Sequence, residues 1–156
     1  RQFLYRLKPV RVSLPSTMTI LVPVNYLAVL AAAAASMVIG FLWYGPLFGK
    51  QYMKLVKLDD KKLKGAKKKG MGKAYVLTFL TSLITGYVLA NFVGYVGATT
   101  ASEGAVLGFL IWIGFFATTQ LGMVLWEGKP VKLYLINTLH YLVALAAMGA
   151  ILAVWV

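Results

Sequence analysis

Along this chain the hydrophobic positions gather into four long runs, at about 20–48, 75–96, 105–125 and 133–156, and the charged residues fall almost entirely between and before them. A helix needs about 20 apolar residues to cross a bilayer, and each run supplies them. Inside lipid every backbone amide must bond within its own segment, so runs of this length predict helices. The pattern predicts an all-α fold, a membrane-spanning four-helix bundle formed as one domain by residues 18–156.

The connections orient that bundle. Gly49 to Lys73 carries ten lysines, Gly97 to Glu103 carries one acid and no lysine or arginine, and Trp126 to Lys132 carries two lysines. Short lysine-rich loops stay on the cytoplasmic side. This predicts a cell (inner or plasma) membrane protein with a lysine-rich cytoplasmic loop between helices 1 and 2, a second basic connection on the same side, and both termini outside. Arg1, Arg6, Lys8 and Arg11 run against that scheme, and Met18 stands directly before the first run. Residues 1–17 therefore read as a basic N-terminal extension: upstream read-through, a fragment edge or an unprocessed leader. They fit a secretory signal poorly, since Pro9 and Pro15 interrupt the stretch where a short apolar core belongs. Within the lysine loop, Tyr52, Met53, Leu55, Val56, Leu58 and Leu63 interleave with lysines, a weakly amphipathic pattern suited to the membrane surface.

Finer patterning inside the runs predicts how they pack. Ala28, Ala32, Ser36 and Gly40 recur every four residues in the first run, and Gly108, Gly114, Thr118 and Gly122 form a second small-residue ridge in the third. Small side chains at helical spacing let membrane helices approach closely. Thr78, Thr81, Ser82 and Thr85 share one face of the second run; their hydroxyls can bond their own backbone carbonyls, so that face need not line water. Pro23 suits a first turn, and Asn25 the outer edge. Trp43, Tyr44, Gly45 and Pro46 close the first run as an interfacial aromatic turn. Gly40-Phe-Leu-Trp43 with Gly45-Pro46 echoes Gly122-Met-Val-Leu-Trp126 with Gly128-Lys-Pro130, which would make two hairpins of the same orientation.

Composition changes the picture in two respects. Hydrophobic residues make up 60% and charged residues 13%, outside the mixture of a soluble domain. Sixteen basic residues against four acids give a net charge of +12, which in a soluble protein would suggest nucleic acid. Ten of the sixteen lie in one loop between spans, so the expected partners are the lipid bilayer and its anionic headgroups, with no nucleic acid. The absence of cysteine excludes disulfides, thiolate metal sites and cysteine nucleophiles.

His140 is the sole histidine, so one chain cannot build a multi-histidine metal or haem site, and neither metal nor cofactor is expected. Asn137 and Ala144 share its helical face. An ionisable residue within a span is a candidate functional site, which makes Asn137 and His140 the first place to look for a ligand, with Asn91, Thr118 and Gln120 as partners. Glu127 sits beside Lys129 at the inner boundary, where an ion pair contributes little. Asp59 and Asp60 are surrounded by lysines, and no catalytic residue is assigned.

The runs Asn25-Tyr-Leu-Ala-Val-Leu and Gly40-Phe-Leu-Trp-Tyr-Gly-Pro-Leu-Phe-Gly-Lys50 resemble the opening signature of small bacterial membrane proteins grouped as domain of unknown function family 1761. Gly108 to Thr119, Glu127-Gly-Lys with Pro130, and Leu135-Ile-Asn137 through His140 to Gly149 look similar too. The resemblance implies a four-span bundle and brings no reaction, substrate or cofactor; the dense lysines of Lys61 to Lys73 and residues 1–17 do not look like part of that pattern. Three functions remain in view. The favoured one is a non-enzymatic structural or interaction subunit, forming a homo-oligomer or packing on other membrane subunits through its small-residue faces. The second is a small transporter or channel with a polar site between helices 2, 3 and 4. The third is a membrane enzyme using His140 and Glu127 near the inner headgroups.

Overall fold

The computed structural model describes residues 22–57 and 71–155. The expectations for residues 1–17, for Asp59 and Asp60, and for Leu58 and Leu63 of the loop lie outside them. Span 1 is helix α1 (Tyr26–Leu42) continued by a π-helical turn, Trp43–Leu47, and a short helix α2 (Gly49–Leu55) follows. Span 2 is α3 (Met71–Val96). Span 3 begins as α4 (Ala101–Ile111), widens into a π-helical segment, Trp112–Ala117, and ends in two short helices, α5 (Thr118–Gln120) and α6 (Gly122–Leu125). Span 4 is α7 (Val131–Val154), and no strand occurs among the described residues. Four stretches, Tyr26–Leu47, Gly72–Val96, Ala101–Leu125 and Val131–Val154, are long and apolar enough to cross a membrane. The chain is a multi-pass, all-α membrane protein.

Helix ends depart from the hydropathy runs where local capping chemistry decides. Asn25, rather than Pro23, starts span 1: its Oδ1 accepts from Leu27 N (3.0 Å) and Ala28 N (3.3 Å). Its Nδ2 donates to Trp155 O at 3.2 Å, tying the start of span 1 to the end of span 4. Span 2 closes on Gly97, whose φ of 65° lets Ala98 N donate back to Val93 O at 3.1 Å. Span 3 starts at Ala101 rather than Ala105, because Thr100 and Glu103 form a reciprocal capping box. Glu103 therefore belongs to a helix turn, not to the connection.

Span 4 is the central element, packing most extensively on span 3 and then on span 1, which in turn packs on span 2. The contact between spans 3 and 4 is a backbone contact. Gly104 lies against the backbone of Gly149, and Gly108 against that of Leu145, so a Cβ at either glycine would overlap main-chain atoms. The small-residue ridge of span 3 is thus Gly104 with Gly108; a Cβ on Gly114 would meet nothing within 4 Å. In span 1 the stripe divides. Ala28 and Ala32 are buried in the core with Val29, Leu89, Val93, Leu145, Met148 and Leu152, whereas Ser36 and Gly40 line a cavity.

The aromatic turn of span 1 also takes a different role. Pro46 cannot donate a backbone bond, and the chain closes a wider turn with Phe48 N donating to Trp43 O at 2.9 Å. Trp43 and Tyr44 are half-buried and reach span 4: Trp43 Nε1 donates to Ile136 O at 2.9 Å. Trp112, which opens the second π-helical segment, donates to the neighbouring carbonyl, Thr138 O, and to Thr138 Oγ1 at 3.1 Å. The internal echo accordingly pairs Gly40-Phe-Leu-Trp-Tyr-Gly45 with Gly108-Phe-Leu-Ile-Trp-Ile-Gly114, not with the segment ending in Trp126, which is 88% exposed.

Candidate functional site

Near their Asn25 ends, spans 1 and 2 touch closely. A Cβ on Gly86 would sit 3.4 Å from Val29 O and from Met148 Cε. Toward the lysine end the two helices part. The resulting cavity, of ≈ 800 Å³, is lined by Ser36, Met37, Gly40, Phe41, Tyr44 and Gly45 of span 1 and by Tyr75, Thr78, Thr81, Ser82 and Thr85 of span 2. Phe116 of span 3 and His140, Tyr141, Ala144, Leu145 and Met148 of span 4 complete it. No acidic or basic side chain other than His140 is among these residues. Its size is that of a small-molecule site.

The polar part of the lining is asymmetric. Thr78 Oγ1 donates to Ala74 O (2.9 Å), Thr81 Oγ1 to Thr78 O (2.8 Å) and Thr85 Oγ1 to Thr81 O (3.0 Å). Their donors are spent on their own helix, so each presents an acceptor to the cavity. On the facing wall His140 is enclosed by rings, with centroids at 5.0 Å for Tyr44, 5.3 Å for Tyr141 and 6.2 Å for Trp43. Both its ring nitrogens are buried and neither has a protein hydrogen-bond partner among the described residues. Buried donors and acceptors are nearly always paired, so an imidazole with both nitrogens unpaired is exceptional.

The residues singled out by sequence separate on the structure. His140 lines the cavity, and Asn137 stands one turn away, its Oδ1 accepting from Tyr44 Oη at 3.2 Å. Asn91 is at the other end of the bundle, 7% exposed, where Oδ1 accepts from Val22 N (3.2 Å) and Nδ2 donates to Tyr87 O (2.8 Å). Thr118 is exposed and bonds Gly114 O on its own helix at 2.7 Å, and Gln120 lies half-buried on span 3 away from the cavity lining. Glu127 is exposed in the turn before α7, whereas His140 lies nine residues into that helix, about 14 Å along its axis.

The family model described as "Protein of unknown function (DUF1761)" matches residues 27–153. The chain belongs to this family. No curated protein and no solved structure matches it. The matched stretch of this DUF1761 chain contains the whole cavity lining and all four spans except the end residues Tyr26 and Val154.

Sequence reasoning missed the roles of Tyr44 and Thr138 around His140. Tyr44 reads as an interfacial ring, yet it bonds Asn137 and covers His140. Thr138, 1% exposed and bonded by Trp112, was hidden between the two more conspicuous polar residues of span 4. The usable signal was the repeated Gly-Phe-Leu with a Trp-x-Gly behind it, which marks both indoles that grip span 4. No group of three or more metal-ligating side chains exists among the described residues.

Proposed function

We propose that this DUF1761 chain is a non-enzymatic membrane protein that binds a small molecule in the wedge between spans 1, 2 and 4, as a carrier or transporter does. The observation that carries this reading is the ≈ 800 Å³ cavity bearing an unpaired, ring-enclosed His140. A residue that served only packing would have its nitrogens bonded, as Asn91 has its amide. The role of structural subunit rested on small-residue faces; Ala28, Ala32 and Gly108 use those faces within the chain itself, while Gly114, Thr118 and Gly122 do not. An enzyme acting through His140 and Glu127 is disfavoured by their separation along α7. In this reading the lysine end, with Lys50, Lys54, Lys57, Lys129 and Lys132 at anionic headgroups, faces the cytoplasm.

The absence of cysteine makes the test direct. A Ser82→Cys variant in lipid nanodiscs reacts with N-ethylmaleimide, while Ala32→Cys, at a 0% exposed position of the core, does not. Ser82→Cys as inert as Ala32→Cys would mean a dry seam, and the reading would fall.

A further inference from the structure

The chemistry of the lining narrows the occupant. Among the described lining residues there is no acid to neutralise a cation and no lysine or arginine to hold a phosphate or carboxylate, which suits a neutral molecule. Its walls present the rings of Phe41, Tyr44, Tyr75, Phe116 and Tyr141 beside the flexible thioethers of Met37 and Met148, surfaces that take a flat ring and an aliphatic chain. The polar groups sit on opposite walls: acceptor oxygens of Thr78, Thr81 and Thr85 on span 2, and an imidazole with one donor and one acceptor on span 4. Residues Tyr75, Thr78 and Thr81 are themselves exposed on span 2, so the wedge is open alongside that helix, where lipid-borne molecules travel.

Resting on the reading of the cavity as a ligand site, we propose that it binds the ring of a quinone or quinol, with the aliphatic tail leaving along span 2. A quinone carbonyl accepts from the His140 N–H, and a quinol hydroxyl donates to a threonine oxygen or to the imidazole. His140 Nε2 lies over Gly40, where an added Cβ would come within 3.4 Å of it, so the absence of a side chain at Gly40 leaves the imidazole its place at the cavity wall. No electron transfer is assigned to the chain; the site holds and shelters the ring.

The experiment uses the full chain in nanodiscs of phosphatidylcholine free of quinone, titrated with decylubiquinone and followed by tryptophan fluorescence, since Trp43 lies 6.2 Å from His140. The expected result is saturable quenching, displaced by menadione but not by farnesol, a neutral lipid alcohol without a ring. His140→Phe, which keeps a ring and removes both nitrogens, weakens binding about tenfold, the loss of one hydrogen bond to the ligand. Ser82→Trp, which fills the wedge, abolishes saturation. Quenching that stays linear and identical in wild type, His140→Phe and Ser82→Trp overturns the quinone assignment. Mass spectrometry of molecules copurifying with the wild type then separates the two failures. A neutral molecule of another class, retained by wild type and lost from Ser82→Trp, leaves the cavity a ligand site with the wrong class assigned. No retained molecule, together with an inert Ser82→Cys, removes the ligand site as well.

Discussion

At the Asn25 end of the bundle, spans 1 and 2 meet through Ala28, Val29, Ala32, Leu89 and Val93, and both side-chain amides there, Asn25 and Asn91, are bonded. At the lysine end the same two helices stand apart, and rings, hydroxyls and an unpaired imidazole occupy the facing walls. Both ends are made of residues that a hydropathy profile treats alike. The difference lies in side-chain size and in whether each polar atom has a partner. One end is built to stay closed, and its polar groups serve the fold; the other keeps space and leaves a polar group in reserve.

Substitutions measured by reversible unfolding in detergent test that contrast. The largest effect is expected away from the wedge, at the seam between spans 3 and 4. Gly108→Leu forces a side chain into the Leu145 backbone and costs more than about 3 kcal/mol, while Gly114→Ala, with open space around it, stays within about 0.5 kcal/mol. Next, at the closed end, Asn91→Leu leaves Val22 N without its side-chain acceptor and costs about 1–2 kcal/mol. Trp112→Phe, removing the donor to Thr138, costs about 1 kcal/mol. The sharpest arm has the opposite sign. His140→Leu raises stability by about 1 kcal/mol, because the wild type carries the desolvation cost of two unpaired nitrogens; a loss of similar size would make His140 an ordinary packing residue and erase the contrast. The smallest effect belongs to Thr81→Val, under about 0.5 kcal/mol, since its hydroxyl bonds only its own helix.

Much of the fold was legible because bilayer thickness imposes length on sequence: the four runs became four spans, with Asn25 and Thr100 with Glu103 setting the starts of spans 1 and 3 by capping that hydropathy does not weigh, Gly97 closing span 2 where its run ends, and spans 2 and 4 beginning a few residues earlier than their runs. The spacing of small residues predicted close approach but not which members make it, because Gly104 and Gly114 look alike until the crossing point with span 4 is known. For the site, His140 was conspicuous as an ionisable group in an apolar run. Asn91, Thr118 and Gln120 were conspicuous for the same reason, yet depth along the helix and rotation about its axis put them elsewhere. The hydroxyl face of span 2 was visible in the sequence, and its self-bonding was foreseen; that it would also form a cavity wall depends on the divergence of two helices below Gly86, a property of the pair and of neither sequence segment alone.

The lack of acidic, lysine or arginine side chains among the described lining residues has an electrical consequence. Moving one elementary charge across a membrane held at 100 mV involves about 2.3 kcal/mol, enough to drive or block a carrier. A neutral guest in a wall with no fixed charge feels none of that. On the proposed reading, loading and release at this site follow the guest's concentration in each leaflet and are indifferent to the transmembrane voltage.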